Sequence, residues 1–310
     1  MHQKILEALS KITEEEQAVL DGTGSYELLP EDGVMHAEYL MDPGRLFAIR
    51  PHTRFMHYPE HTHDYAEIVF MLQGTTTHIV NDQTVVLQPG EFLCLGAGAR
   101  HEIWPASEKD IAVNLLLRPA YFDAPLPFFG TETTLLHRFL IETLRGERRS
   151  SFLHFRTSGN VPVQNYMENL ISTYVTQDAS RALLDNFNLG LLFQELFALT
   201  DTLSNVSREQ TAAIKMCAYI DENFAEASLT EAAKVLKYDF FWLSHEIPNE
   251  TGKTYTELLQ EKRILRAAFL LKNTDMPVDE IIHTVGYENK SYFQRIFTAA
   301  YGVTPKGYRK

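Results

Sequence analysis

The chain has 310 residues, enough for two or three domains, and its 45% apolar and 22% charged composition is that of an ordinary globular protein. A formal charge of −13 argues against a protein-wide nucleic-acid coat, and no apolar run approaches the length that crosses a bilayer. Cys94 and Cys217 lie in apolar runs, which points to buried free thiols rather than a disulfide scaffold or a cysteine metal cluster. The start carries no secretory hydrophobic segment, so a cytoplasmic protein is expected.

In chain order, residues 1–20 read as one or two short helices, with Thr13 and Glu16 at capping-box spacing in an acidic run. From Arg45 to Leu117 the pattern is one of strands and turns. Ala66–Leu72, Thr75–Val80, Thr84–Leu87, Glu91–Leu95 and Ile111–Leu117 are strand candidates, with Asn81-Asp82 as a hairpin turn and Pro89-Gly90 as a break. So many short strands favour a closed barrel or a double-sheet jelly roll, because closure removes exposed edges. Pro119, Pro125 and Pro127 suggest a boundary. Helical patterns follow over 132–146, 163–177 and 181–200, and 200–207 reads as a linker. Ser207/Gln210, Ser228/Glu231 and Thr254/Glu257 then have capping-box spacing, the last before a long helix over 255–272.

Charge is unevenly placed. Residues 1–210 hold 15 Lys/Arg and 28 Asp/Glu, whereas 211–261 is −5 and 262–310 is +5. The cationic end contains the sharpest pattern. Pro277–Ile282 opens a short helix, Val285-Gly286-Tyr287 turns it, and Asn289 caps Lys290–Phe297. Helix, glycine-containing turn and helix form a helix-turn-helix. On the second helix Phe293, Ile296 and Phe297 share one face, while Lys290, Gln294 and Arg295 project away and Ser291 lies near the edge.

VGYENKSYFQRIFTAAYGVTPKGYRK, with SLTEAAKVL, TGKTY and EKRILRAAFLL before it, resembles the C-terminal signature of the AraC/XylS family of transcriptional regulators. The resemblance implies two helix-turn-helix units joined by one long helix, each placing a helix in the major groove. Matched to the family pattern, the first unit presents Phe240, Phe241, Ser244 and His245 to DNA, and the second presents Lys290, Ser291, Gln294 and Arg295. The first unit departs from the pattern at Lys237, where the turn is commonly glycine, and at Pro248, which is expected to end its helix near Ile247. Asp239 reads as its N-cap, and no guanidinium is present there for guanine. Lys262, Arg263, Arg266 and Arg309 are candidate phosphate contacts, with an ion pair from Arg263 to Asp279 or Glu280 as the other reading.

His61-Thr62-His63, Glu67 and Gly74 fit the H-x-H-x3-E-x6-G cupin motif, followed by Pro89-Gly90 and His101. The region resembles the sensory cupin at the N-terminus of many AraC-family regulators. On an extended strand His61, His63 and Glu67 share one face, and a barrel brings His101 opposite. Three imidazoles and a carboxylate suit zinc, iron, manganese or nickel, so a divalent metal is one expected occupant. A polar ligand pocket without metal is the other.

The expected fold is mixed: an N-terminal helical arm (1–40), an all-β cupin-like jelly-roll barrel that senses ligand (41–120), a helical linker and dimerisation region (121–206), and an all-α double helix-turn-helix (207–310). The expected function is that of a ligand-responsive, sequence-specific transcriptional regulator and not an enzyme. Promoter double-stranded DNA, a small-molecule effector such as a sugar, a second copy of the chain and RNA polymerase are the expected partners. Activation of genes for sugar or small-metabolite use is the favoured role. A metal-dependent cupin enzyme fused to a DNA-binding module, or an interaction adaptor with a degenerate first reading head, are the alternatives.

Overall fold

The chain begins with two short helices, α1 (His2–Leu9) and α2 (Glu14–Leu20). At the start of α2 the Thr13 hydroxyl accepts from the Glu16 amide and the Glu16 carboxylate accepts from the Thr13 amide, closing the capping box. Glu16 is not a solvated member of its acidic run: it is buried and paired with Arg54 at 2.6 Å. The computed structural model describes residues 2–23, 32–123, 135–146, 152–204 and 207–309. Pro125, Pro127, the first residues of the helix read over 132–146, and linker positions 205 and 206 lie outside the described residues.

The barrel follows: β1 (Val34–Met35), α3 (Ala37–Leu40), β2 (Phe47–Pro51), β3 (Tyr58–His63), β4 (Ala66–Gln73), β5 (Thr76–Val80), β6 (Gln83–Leu87), β7 (Phe92–Leu95), β8 (His101–Ile103) and β9 (Ile111–Leu117). Asn81 and Asp82 both take positive φ, 47° and 65°, which makes the tight β5–β6 hairpin twist with its strands. After a 3-10 turn at Pro119–Asp123 come α4 (Leu135–Leu144), β10 (Phe152–Phe155), α5 (Val161–Thr176), α6 (Ala182–Ala198) and β11 (Leu203–Ser204). The strands form a five-stranded sheet, β1-β3-β8-β5-β6, and a six-stranded sheet, β11-β10-β7-β4-β9-β2.

Phe152–Phe155 corrects the reading of 121–206 as helical linker. This segment pairs antiparallel with β7 and is buried at all four positions, so the six-stranded sheet draws on chain beyond residue 120. A four-residue apolar run carries no periodicity that separates strand from helix, and its partner decides. β11 then pairs with β10, where Ser204 donates to His154 Nδ1 at 2.7 Å and His154 Nε2 donates to Glu91 at 3.0 Å.

Chain contacts divide the protein into two units, one of residues to Phe128 with Ile141–Val206, the other of Phe129–Leu140 with Ser207–Lys310. The second holds α7 (Arg208–Asn223), α8 (Leu229–Leu236), α9 (Phe240–Thr251), α10 (Tyr255–Asn273), α11 (Val278–Thr284), α12 (Lys290–Tyr301) and α13 (Pro305–Arg309). Ile264, Ala268 and Leu271 of α10 pack with Ile281, Ile282, Phe293, Ile296 and Phe297 into its core, and Tyr308 folds back on it. Ser207, Ser228, Asp239, Thr254 and Asn289 all cap the helices that follow them, each accepting a backbone N–H three residues on.

Two departures in the first helix-turn-helix have visible causes. α9 does not stop before Pro248 but runs to Thr251, because Glu250 and Thr251 are buried and the Thr251 hydroxyl donates to Ile247 O at 2.7 Å. Lys237 is left-handed (φ 59°, ψ 41°) and closes α8 as a Schellman cap, with Tyr238 N donating to Ala233 O and Lys237 N to Lys234 O. A lysine there bears left-handed strain that glycine escapes, partly offset by glycine's greater freedom when unfolded. Lys237→Gly is therefore expected to stabilise the unit by about 0.5–1 kcal/mol, measured by urea unfolding. A loss of stability would refute the strain.

Candidate functional site

Alternation on β3 buries His61 and His63 while Thr62 stays half-exposed, and the β3–β8 register sets His61 opposite His101. Along β4 the residues in phase with Glu67 are Val69 and Met71, so the lining changes from ionisable to apolar along one strand. The Glu67 carboxylate is 5% exposed. Its Oε1 accepts from Asn114 Nδ2 at 2.6 Å, and its Oε2 lies 3.6 Å from His101 Nε2 and 3.9 Å from His63 Nε2. One ligand atom each from His63, Glu67 and His101 lie within 4.8 Å of one another. His61 stands beside them, its ring 4.2 Å from that of His101, but outside this group.

Two further histidines join them. His52, just past β2, donates from Nδ1 to Asn114 Oδ1 at 2.9 Å, and its ring lies 5.4 Å from that of His78. His78 on β5 is fully buried and lies parallel to His101 with ring centroids 6.2 Å apart. Sequence reasoning passed over both. His78 had a usable signal, since it alternates in phase with Thr76 and Val80 on a short strand; His52 had none. Of the aromatics near the barrel, Tyr65, Phe70 and Phe92 are buried, whereas Trp104 is 52% exposed and meets His57 edge-on. His57 pairs with Glu102 at 2.7 Å.

Burial holds the interior imidazoles neutral. It pushes His52, His61 and His63 down, His63 to about 4, and His78 and His101 well below the usual histidine range. Burial raises Glu67 to about 7, against the Asn114 hydrogen bond. The donors fit a cation of the transition series: two imidazole nitrogens and a carboxylate oxygen, with His63 Nε2 and both nitrogens of His101 lacking any hydrogen-bond partner. A separate groove of about 890 Å3 follows β2 and faces α5 and α6; it reaches His52 but none of the other four histidines or Glu67.

In the second unit α12 buries Phe293, Ile296 and Phe297 and exposes Lys290, Ser291, Gln294 and Arg295, as the helical spacing requires. Lys290 pairs with Asp279 at 2.5 Å, and Arg295 lies over the Tyr292 ring. On α9 Phe240, Phe241, Ser244 and His245 are exposed, Phe241 by 79%. His245 Nδ1 meets Glu246 at 2.8 Å, so this helix surface carries an acid and no arginine or lysine.

Three phosphate candidates are otherwise engaged. Lys262 is 4% exposed and paired with Asp221 of α7 at 3.0 Å, because its position on α10 faces α7. Arg263 donates to Phe224 O and Ala225 O at 2.8 and 2.9 Å, satisfying carbonyls at the end of α7, and lies over Tyr287. Asp279, one of its two expected partners, instead pairs with Lys290. Arg309 donates to Met276 O. Arg266 stands over Phe269.

A barrel with a buried polar interior, in one chain with two helix-turn-helix units, defines a ligand-responsive DNA-binding regulator. A family model described as AraC-like ligand binding domain matches residues 43–124, and one described as Helix-turn-helix domain matches 232–310. The chain belongs to the AraC family of transcriptional regulators. It is 24% identical over 261 residues to the HTH-type transcriptional activator RhaR of Escherichia coli (strain K12), covering 81% of this chain and 87% of that protein. It is also 24% identical over 268 residues to the HTH-type transcriptional activator RhaS of Shigella sonnei (strain Ss046), covering 85% and 91%. Among solved structures, the C-terminal domain of AraT, a response regulator from Geobacillus stearothermophilus, is 34% identical over 33% of this chain and 87% of that one, with a TM-score of 0.31. An apo variant of ToxT from Vibrio cholerae strain SCE256 is 15% identical over 86% and 97%, with a TM-score of 0.38.

Proposed function

We propose that the protein activates genes for the use of a sugar or another small metabolite, binding promoter DNA as a homodimer in the cytoplasm and acting on RNA polymerase without catalysis of its own. The activator reading draws on what RhaR and RhaS are called. No described helix is long and apolar enough to cross a membrane. Leu183, Leu184 and Leu191 of α6 are 68%, 50% and 42% exposed opposite its buried face, which supports pairing of two copies there. Two linked half-sites then add affinity that one weakly cationic module lacks. His61, His63, Glu67 and His101 line the effector site, and effector binding favours one arrangement of the reading helices over another.

The observation that carries DNA reading is α12, whose exposed Lys290, Ser291, Gln294 and Arg295 stand on a fully packed aromatic base. α9, with Phe240, Phe241, Ser244 and His245, reads the weaker half by apolar contact and shape. Arg295→Ala is expected to lower discrimination between a selected and a scrambled duplex by about 1–3 kcal/mol, concentrated at one base pair. Equal weakening on both duplexes would reassign Arg295 to phosphate, and no change would remove it from the interface. Footprinting with every base pair substituted is expected to show larger penalties under one head than the other.

A further inference from the structure

We propose that the first reading head recognises the C5 methyl group of thymine, and that Phe241, braced by Phe240, is the residue that does so. This rests on the reading of α9 as a DNA-facing helix, and the experiment below separates the two.

The two helix-turn-helix units are built to one plan. α9 (Phe240–Thr251) and α12 (Lys290–Tyr301) have the same length and lie 50 residues apart at both ends. Each is capped by the side chain just before it: Asp239 Oδ1 accepts from Trp242 N and Asn289 Oδ1 from Tyr292 N, both at 2.9 Å. Each ends on a left-handed glycine, Gly252 or Gly302. Leu243 and Ile247 fill the buried places that Phe293 and Phe297 fill in α12. Phe240, Phe241, Ser244 and His245 therefore stand on their helix where Lys290, Ser291, Gln294 and Arg295 stand on theirs, away from the packed face.

The chemistry offered at those places differs. α12 offers an amine and a guanidinium, whereas α9 contains no lysine or arginine. The Asp239 carboxylate already lies at the first amides of α9, where a phosphate would otherwise be favoured. Trp242 is committed within the unit, stacked on Tyr238 with ring centroids 5.2 Å apart and covered by the Arg208 guanidinium at 4.4 Å. Phe241 is the opposite case: it is exposed over most of its surface and meets the Phe240 ring edge-on at 5.4 Å. That edge-to-face pair holds the outer ring in place. The shared plan favours DNA over a protein partner as its cover, because it sets Phe241 on the face whose counterpart carries Lys290 and Arg295.

A phenyl ring carries neither donor nor acceptor. Of the groups that distinguish base pairs in the major groove, it can sense only the apolar one, the thymine methyl. Uracil keeps every donor and acceptor of thymine and lacks that methyl alone. 5-Methylcytosine carries the methyl at the same ring position with different donors and acceptors, to which a phenyl ring is blind. Burying a methyl group displaces no counterion, so this recognition is independent of salt.

The test uses the full-length protein and a duplex selected from a random pool. An iron-chelate cleavage reagent on Lys234→Cys, an exposed position of α8, marks the base pairs under the first head; Cys94 and Cys217 are buried and stay unlabelled. Each thymine there is replaced in turn by uracil, by cytosine and by 5-methylcytosine, the last two paired with guanine. At one thymine or more, uracil is expected to weaken binding about fourfold, the factor that corresponds to about 0.8 kcal/mol for one buried methylene-sized group. The ratio is expected to hold between about 50 and 200 mM salt. 5-Methylcytosine is expected to bind better than cytosine by a similar factor. Phe241→Ala is expected to bind thymine and uracil duplexes equally, and Phe241→Leu, still apolar, to keep part of the preference. Circular dichroism establishes that both variants are folded.

Cleavage at a half-site that lacks thymine, or equal affinity for its thymine and uracil forms, would overturn the methyl proposal and leave α9 facing DNA. A preference that survives Phe241→Ala would overturn the assignment to that residue, and 5-methylcytosine bound no better than cytosine would overturn a reader blind to donors and acceptors. Absence of cleavage by protein that still binds the duplex would overturn the DNA-facing reading of α9 and this proposal with it. Unchanged DNA affinity of Phe241→Ala with transcription lost would give the ring to a protein partner instead.

Discussion

Glu16→Gln is expected to destabilise the barrel unit by about 3–5 kcal/mol, the cost of leaving one charge of a buried pair uncompensated. Arg54 Nε and Nη2 reach the two Glu16 oxygens at 2.6 and 2.7 Å, and both side chains are almost fully buried. Arg54 also donates to Lys11 O and Glu108 O, so one guanidinium ties the segment before α2 to the loop after β8. Glutamine preserves the size but removes the charge and sets an amide donor against a guanidinium that has no acceptor to spare. Burial alone would raise the Glu16 carboxyl; the Arg54 hydrogen bonds, the Thr13 amide and the Arg54 charge outweigh it and hold it below the ordinary 4.5. A depressed folded value contributes stability above the unfolded value, and that contribution is lost as pH falls through the folded one. The gap between wild type and Glu16→Gln is therefore expected at pH 7 and should narrow below about 4.5. Urea unfolding followed by Trp104 fluorescence in a Trp242→Phe background measures it. A gap under about 1 kcal/mol at pH 7 would place the pair in the weak class of exposed ion pairs.

The second large effect is expected at Gly286→Ala. This glycine has φ +86° in the turn between α11 and α12, and a Cβ there would sit 2.3 Å from Ala225 O and 2.9 Å from the Arg263 guanidinium carbon. A carbonyl oxygen of the main chain cannot step aside as a side-chain tip does. Left-handed strain and overpacking together are expected to cost about 2–5 kcal/mol, and to loosen Arg263 from the carbonyls at the end of α7. Gly302→Ala is the control. It has φ +72° and nothing within 4 Å of its Cβ, so only the strain of about 1–2 kcal/mol applies. Equal losses for the two substitutions would show that backbone conformation alone, and not the close approach, decides Gly286.

Much of the second unit was legible because its signals are local. Serine, threonine, asparagine and aspartate caps sit within three residues of the amides they satisfy, and the spacing of Phe293, Ile296 and Phe297 specifies which side of α12 is packed. Arg263 and Lys262 were misread for the complementary reason. A cation on a helix looks the same in sequence whether it faces solvent or a neighbouring helix, and their partners, Phe224 O, Ala225 O and Asp221, lie about 40 residues away in the chain. Pro248 was misread because the rule that proline ends a helix weighs only the backbone, whereas burial of Thr251 and Glu250 carries α9 past it.

In the barrel, the sequence by itself determined the strand-rich character, the Asn81-Asp82 turn and the common facing of His61 and His63, while the pairing of that barrel with two helix-turn-helix units came from the family resemblance. The first three follow from period-two alternation and turn chemistry, which act over a few residues; Glu67 shares the parity of His63 but lies past a turn on β4, in the other sheet, so its convergence with the histidines does not. Only the tertiary structure decided that Phe152–Phe155 completes the six-stranded sheet, that Glu16 meets Arg54, and that His52, His78 and Asn114 join the interior cluster. Strand partners, a buried ion pair and a converging set of imidazoles depend on which distant segments the closed sheets bring together. That choice belongs to the burial of the whole core, and no local spacing encodes it.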